Sequence, residues 1–392
     1  MIKNLLILFL LLTSITSRAQ FGSLSPAAEI SILTIGQGAE LYDKFGHSAF
    51  RIKDSLSGVD VVFNYGVYDF ETPNFYTKFA QGKLLYELNV TYYQPFYESY
   101  VAQNRWVKEQ ILNLNQEEKQ AVSDFLWENV LPENRKYKYD FFYDNCATKI
   151  RDVVQEVLGE SLEFTDDYIQ EELTFRQLIQ KNLQANTWGS LGIDIALGAV
   201  IDRKASPIEY QFLPEYVFEG ASHALIHRGG GTEPLVKDTK VLFENKPMPP
   251  QNNFLTSPLF VLGLLGLMII FITYRDFKQK TRSRYLDTTI LLITGLIGVF
   301  LVLLWGATDH TATANNYNLL WAFPISIFMV LAITRKNSSP MVGRYIFLLI
   351  LLLGLLTIHW FTGVQVFAIG LIPILIALAI RYVYLVWYMK RH

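Results

Sequence analysis

An α+β soluble domain over residues 20–253, followed by a membrane bundle of five apolar helices over 254–392, is the architecture that this chain of 392 residues encodes. In the first part, strand-like alternation and helical periodicity follow one another without the regular βαβ rhythm of a doubly wound sheet. The second part is mostly apolar, in stretches near the ~20 residues that cross a bilayer core. Basic residues recur in every second loop between those stretches.

Taken in order, "MIKNLLILFLLLTSITSRAQ" pairs Lys3 with an apolar run from Leu5 to Leu12, and Ser17 and Ala19 stand at −3 and −1 of a cleavage site before Gln20. Residues 1–19 read as a secretory signal peptide, with an uncleaved anchor as the alternative. "EISILTIGQG" (29–38) predicts a strand entering a glycine turn. "FGHSAFRIKD" (45–54) and "VDVVFNYGVYDF" (59–70) predict a hairpin around "SLSG". Residues 97–114 and 115–131 have helical periodicity, with Asn115 as a cap, and 147–159 is a further helix closed by Gly159. "ENKPMPPQNN" (244–253) has linker composition.

The apolar segments span 255–274, 288–306, 318–334, 345–361 and 364–388. "RDFKQKTRSR" and "TRKNSSPMVGR" are basic and the tail ends "MKRH", whereas residues 306–318 and 359–365 contain neither Lys nor Arg. Five crossings with the soluble domain outside and the C-terminus in the cytoplasm satisfy every loop, which predicts a bacterial inner-membrane protein with a periplasmic domain. A net charge of −2 argues against nucleic acid as a partner.

Cys146, in "YKYDFFYDNCATKIRDVVQEVLG", is the only cysteine of an exported chain, so an intramolecular disulfide is excluded. A lone cysteine is by default a small buried hydrophobe. Its place at a helix start, where the dipole and unpaired N–H groups favour a thiolate, marks it instead as a candidate nucleophile. Backbone N–H groups around Asn145 and Ala147 are then candidates for an oxyanion hole. Of six histidines, His47 is the best-placed base, at the start of a strand after a glycine. With a turn near 56–57, Asn64 falls across from residue 49 on the face of His47, making it the candidate orienter; Asp69 and Asp144 are the alternatives. Arg151 projects from another face of the helix. The aromatic run Tyr137, Tyr139, Phe141, Phe142, Tyr143 packs the helix start or lines a substrate groove. Metal binding has no motif behind it: HExxH, CxxC and an Asp-rich loop are all missing from the sequence.

A histidine strand ahead of a cysteine helix resembles the circularly permuted papain-like fold, where "NC" recurs at the helix start of lipid-acting members such as lecithin–retinol acyltransferase. "LYDKFGHSAFRI", "FNYGVYDF", "YKYDFFYDNCATKIRD" and "TDHTATANNYNLLWAFP" together resemble the Lnb-type lipoprotein N-acyltransferase family of Bacteroidota. The resemblance implies Cys146 as acyl-accepting nucleophile and His47 as base, with no cofactor. It implies a membrane phospholipid as acyl donor and the α-amino group of a diacylglyceryl-cysteine apolipoprotein as acceptor. Candidate substrate contacts are Tyr65, Asn145, Tyr143 and His310. The competing readings are a membrane-tethered papain-type hydrolase (a cell-wall amidase or peptidase, or a lipid hydrolase) and a non-enzymatic receptor in which Cys146 is merely buried.

Overall fold

Apolar alternation over three early segments builds the centre of an antiparallel sheet. The computed structural model describes residues 22–247, 253–336 and 339–391, so the leader and half of the linker lie outside the described residues. Strands β1 (Glu29–Ile35), β2 (His47–Asp54) and β3 (Val59–Val67) are followed by a short helix α1 (Phe75–Ala80), β4 (Leu85–Tyr92) and helix α2 (Tyr93–Ala102). Next come β5 (Val107–Leu112), α3 (Gln116–Asn129), β6 (Lys136–Lys138) and α4 (Cys146–Leu158). After β7 (Leu162–Glu163) run α5 (Phe175–Asn182), α6 (Trp188–Ala196), α7 (Pro207–Tyr210) and α8 (Pro214–His223), then β8 (Leu225–Arg228), β9 (Gly231–Pro234) and β10 (Val236–Phe243). Seven strands form one sheet in the order β10-β5-β1-β2-β3-β4-β6, and β7, β8 and β9 form a small second one.

The two faces of the large sheet are covered differently. Phe50, Ile52 and Phe63 pack under α3, α4 and α8 through Leu126, Ile150 and Val217, while Leu33, Ala49 and Val62 face Phe96 of α2. The β2–β3 hairpin pairs Phe50 with Phe63 and Arg51 with Val62; one further step of this register sets Asn64 across from Ala49. Asn115 caps α3 through a reciprocal capping box with Glu118.

The expected helix over 97–114 is corrected by the structure. It stops at Ala102, Asn104 takes a left-handed conformation (φ 56°), and residues 107–112 form β5. The polar residues that mimic helical spacing there are buried in the sheet with partners. Glu109 accepts from Ser31 Oγ at 2.6 Å and Arg51 Nη1 at 3.0 Å, and Gln110 donates to Ser222 Oγ at 2.8 Å.

In the membrane part, four described helices are long and apolar enough to cross a bilayer. They are α9 (Pro258–Gln279), α10 (Arg284–Gly306), α12 (Pro340–Thr362) and α13 (Ile372–Arg391), with a one-to-two-turn α11 (Ser326–Ile333) between them. The expected third helix over 318–334 is therefore only partly helical. Pro324 interrupts it, and the non-helical stretch lies in a groove on α10, where a Cβ on Gly298 would stand 2.0 Å from the Ala322 carbonyl and one on Gly295 2.6 Å from Ile327 N. Exposed backbone is tolerated at membrane depth when it is buried in protein. The segment runs antiparallel to α10, and its end carbonyls at Ile333 and Thr334 accept from Arg282 and Arg284.

The two loops without Lys or Arg touch the soluble domain. Asp309 N donates to Gln81 O at 2.8 Å, Lys138 pairs with Asp309 at 2.7 Å, and Val366 N donates to Asp202. At the opposite end, the fully buried Arg381 bridges Asp276 (2.8 Å) and Asp287 (2.7 Å), tying α13 to α9 and α10. Removing one partner of a buried pair leaves uncompensated charge, so Arg381→Leu is expected to destabilise the protein by about 3–5 kcal/mol. A lowered thermal midpoint in detergent checks this, with Arg344→Leu, exposed near the start of α12, as the neutral control.

Candidate active site

His47 stands where it does because Gly46 precedes it. Gly46 has φ 81°, and a Cβ there would meet the Ile35 carbonyl at 2.7 Å, so only glycine lets the chain turn into β2. The imidazole Nε2 donates to Asn64 Oδ1 at 2.6 Å. That bond selects the neutral tautomer whose lone pair is on Nδ1, the nitrogen free to take a proton. Tyr100 of α2 lies alongside the ring at a centroid distance of 6.2 Å. Burial holds the imidazole down at about 4; the Asn64 bond opposes that shift and the Arg105 cation adds to it.

Asn145 fixes the start of α4. Its Oδ1 accepts from Ala147 N (2.7 Å) and Thr148 N (2.9 Å), and its Nδ2 donates to Phe141 O (2.6 Å) and Phe212 O (2.8 Å). Cys146 is thereby the first helical residue, half-buried. The N–H groups of Ser48, Cys146 and Ala147 favour its thiolate, as does Arg105, yet burial outweighs them and pushes the thiol up to about 11. The expectation that the helix start would make this thiol acidic is corrected: desolvation wins. Thiol and imidazole share one end of the sheet. Ser48, whose N–H reaches the sulfur, follows His47 directly, and a Cβ on Gly66 would lie 3.5 Å from Cys146 Cβ.

Three further side chains complete the environment. Arg105 is 5% exposed, donates from Nε to Gly36 O (2.8 Å), stands over the Tyr100 ring, and leaves Nη2 without a partner. Tyr137 and Tyr139 feel the charge of Cys146, their hydroxyls pushed well up by burial, and Tyr137 Oη has no hydrogen-bond partner. Sequence reading missed Arg105 altogether, since it stands at a helix–strand junction where a charge looks like solvated surface. The tyrosines fell within the aromatic run but could not be told from their packing neighbours.

Residues 23–181 match the Lnb N-terminal periplasmic domain, and residues 250–392 match the Lnb transmembrane domain. The chain belongs to the Lnb family. No curated protein and no solved structure matches it. As an Lnb protein it joins a mixed α/β periplasmic domain to transmembrane helices in the inner membrane, in line with a lipoprotein-modifying enzyme.

Within this Lnb chain the other candidates lie elsewhere. Tyr65 is 1% exposed in the core, edge-on to Tyr137, so no substrate meets it. The Asn145 amide is committed to the helix cap and to the carbonyls of Phe141 and Phe212. Tyr143 points outward to Arg203 (3.2 Å) and His310 Nε2 donates to Phe79 O (3.2 Å) at the junction with the membrane part. Asp69 closes a turn on Glu71 N and Asp144 pairs with Lys149, so of the three candidate orienters Asn64 is the one on His47. Arg151 binds Asp152. No described group of His, Cys, Asp and Glu is arranged to hold a metal.

Because the thiolate is the reactive form and burial raises its pKa, alkylation of resting Cys146 by iodoacetamide is expected to be slow at pH 7. The rate should keep rising beyond pH 10, towards a midpoint at about 11. A plateau already reached by pH 6, the mark of a preformed thiolate–imidazolium pair, is the contrary outcome.

Proposed function

We propose that this protein is an apolipoprotein N-acyltransferase with Cys146 as nucleophile, His47 as base and Asn64 as orienter. The Nε2–Oδ1 bond of 2.6 Å is the observation that carries this reading: it frees Nδ1 of the imidazole at the sheet end where the thiol-bearing helix begins. The domain is then a circularly permuted papain-like one, its histidine strand preceding its cysteine helix. The return of 317–334 along α10 supports five crossings, and the basic ends of the bundle support a cytoplasmic C-terminus.

In the first half-reaction Nδ1 of His47 takes the thiol proton as sulfur attacks an ester carbonyl of a phospholipid. The developing oxyanion has two candidate donors, the Cys146 N–H and the unpartnered Tyr137 hydroxyl. Collapse breaks the ester C–O bond, the leaving lysophospholipid oxygen takes the proton back from His47, and a thioester remains. In the second half-reaction the α-amino group of a diacylglyceryl-cysteine attacks the thioester. It loses its proton through His47 to the departing sulfur, which regenerates the thiol and leaves an amide. A resting pair that is neutral on both sides moves its proton together with the attack, so the thiol stays unreactive until a carbonyl is in place. Arg105 favours the charged sulfur as it forms.

Intact mass after incubation with phospholipid vesicles is expected to show one fatty acyl group added, removed by hydroxylamine and absent from Cys146→Ala. Addition of a diacylglyceryl lipopeptide should discharge it into an amide; an adduct discharged by water alone would instead favour a membrane-tethered thiol hydrolase. His47→Ala is expected to slow adduct formation by about 10²–10⁴-fold, the ordinary worth of a positioned base. Asn64→Ala should cost less, up to roughly a hundredfold, as loss of orientation without loss of the proton acceptor. Single-turnover mass spectrometry measures both.

A further inference from the structure

The segment from Tyr68 to Tyr86, at the same end of the sheet as His47, carries large aromatic side chains in the open. Phe70 is 64% exposed, Tyr76 79% and Phe79 53%. Outside a membrane such a cluster on one short segment is a solvation cost; at the bilayer boundary it is the composition that anchors. Its position is fixed by the membrane part itself. Three residues beyond the end of α10 at Gly306, Asp309 N binds Gln81 O, and a Cβ on Gly82 would stand 3.1 Å from His310 N. The aromatic surface is therefore continuous with the outer rim of the transmembrane helices. Lys78 and the exposed Lys83 flank it, placed for phosphate headgroups.

The aromatics also run inward without a gap. Phe70 meets Tyr68 at 5.0 Å between centroids, Tyr68 meets Tyr86 at 5.4 Å, and Tyr86 stacks on Tyr139 at 4.3 Å. Tyr139 lies beside the thiol, since a Cβ on Gly66 would stand 3.5 Å from Cys146 Cβ and 3.9 Å from the Tyr139 ring. A line of rings with an exposed end at the bilayer and a buried end at the thiol suits an acyl chain and excludes water.

We propose that residues 68–86 lie in the outer interface of the bilayer and that their aromatic line passes the acyl chain of a phospholipid to Cys146. The first half stands on its own; the second rests on the acyl-transfer reading above.

The single cysteine makes the first half directly measurable. In the full-length Cys146→Ala chain, Tyr76→Cys carries a nitroxide label, in phosphatidylethanolamine–phosphatidylglycerol vesicles. Oxygen is expected to relax the label at 76 more than a water-soluble nickel chelate does. The same label at Leu56, 75% exposed at the far tip of the β2–β3 hairpin, should show the reverse. A label at 76 that behaves like one at 56 overturns the membrane placement. For the second half, the triple variant Phe70→Ser, Tyr76→Ser, Phe79→Ser is compared with the parent, using vesicle phospholipid and a water-soluble short-chain acyl thioester as donors. The ratio of Cys146 acylation rates, vesicle to soluble, is expected to fall at least about tenfold, following the lost apolar surface. An unchanged ratio overturns the acyl path. If the parent takes an acyl group from neither donor, the acyl-transfer reading fails together with the path, while the label at 76 still decides the membrane placement.

Discussion

The amide of Asn145, 3% exposed, accepts two N–H bonds from the first turn of α4 and donates to the carbonyls of Phe141 and Phe212. The acceptor half decides that the helix begins at Cys146 and not a residue later. The donor half ties that start to the preceding aromatic turn and to the α7–α8 connection. A one-residue shift would rotate the thiol by roughly 100° about the helix axis, away from Ser48 and the end of β2. The dipeptide that resembles a catalytic signature is thus half chemistry and half architecture. Cys146 heads the helix in the proposed mechanism because Asn145 spends its whole amide on holding that start in place.

Position alone does not make the sulfur acidic. A helix N-terminus contributes about 0.3–1 kcal/mol, up to ~2 in partly buried geometry, whereas full burial moves an ionisable group by as much as 3–5 pKa units. Each unit is about 1.4 kcal/mol, so desolvation exceeds the dipole by a factor of several. The same burial lowers the imidazole, and both groups rest neutral. An uncharged pair is a poor hydrolase in waiting, because it holds little thiolate for adventitious electrophiles. Arg105 is a cation that acts on both groups. Lying against Tyr100, it favours thiolate on sulfur and disfavours a proton on the imidazole, so it keeps His47 an unprotonated base at rest.

The central hairpin was legible because its register follows from a turn and a period of two. The step that sets Asn64 across from residue 49 needed nothing but the position of "SLSG". The capped helix α3 and the cysteine helix were legible for a similar local reason, a cap residue ahead of an apolar stripe. Strand β5 was not. Its buried Glu109 and Gln110 look like a solvated helix face until Arg51, Ser31 and Ser222 arrive from more than fifty residues away. Arg105 was hidden by the same limit, since its meaning lies in Gly36, Tyr100 and Cys146 and not in its neighbours along the chain. In the membrane part, hydropathy located every apolar segment but carries no signal for Pro324 lying in the groove that Gly295 and Gly298 open on α10.

The junction between the two parts explains why a periplasmic domain that could hang from one helix is instead clamped by a bundle. The last turn of a helix leaves carbonyls without intrahelical donors. At the end of α6, those of Ile195 and Ala196 accept from Asn316 Nδ2 (2.8 and 3.0 Å), and that of Asp194 accepts from Asn318 Nδ2 (3.0 Å). Both donors belong to the loop after α10, so the periplasmic domain completes its own helix cap with amides from the membrane domain. Asp202, which binds the buried Arg176 at 2.8 Å, also accepts from Val366 N beyond α12. A tether fixes distance only, whereas these shared bonds fix orientation too. Orientation is what the proposed nucleophile requires if its proposed substrates are confined to a plane, because a thiol that tumbles above a bilayer would present its sheet end to the lipid for only a fraction of the time.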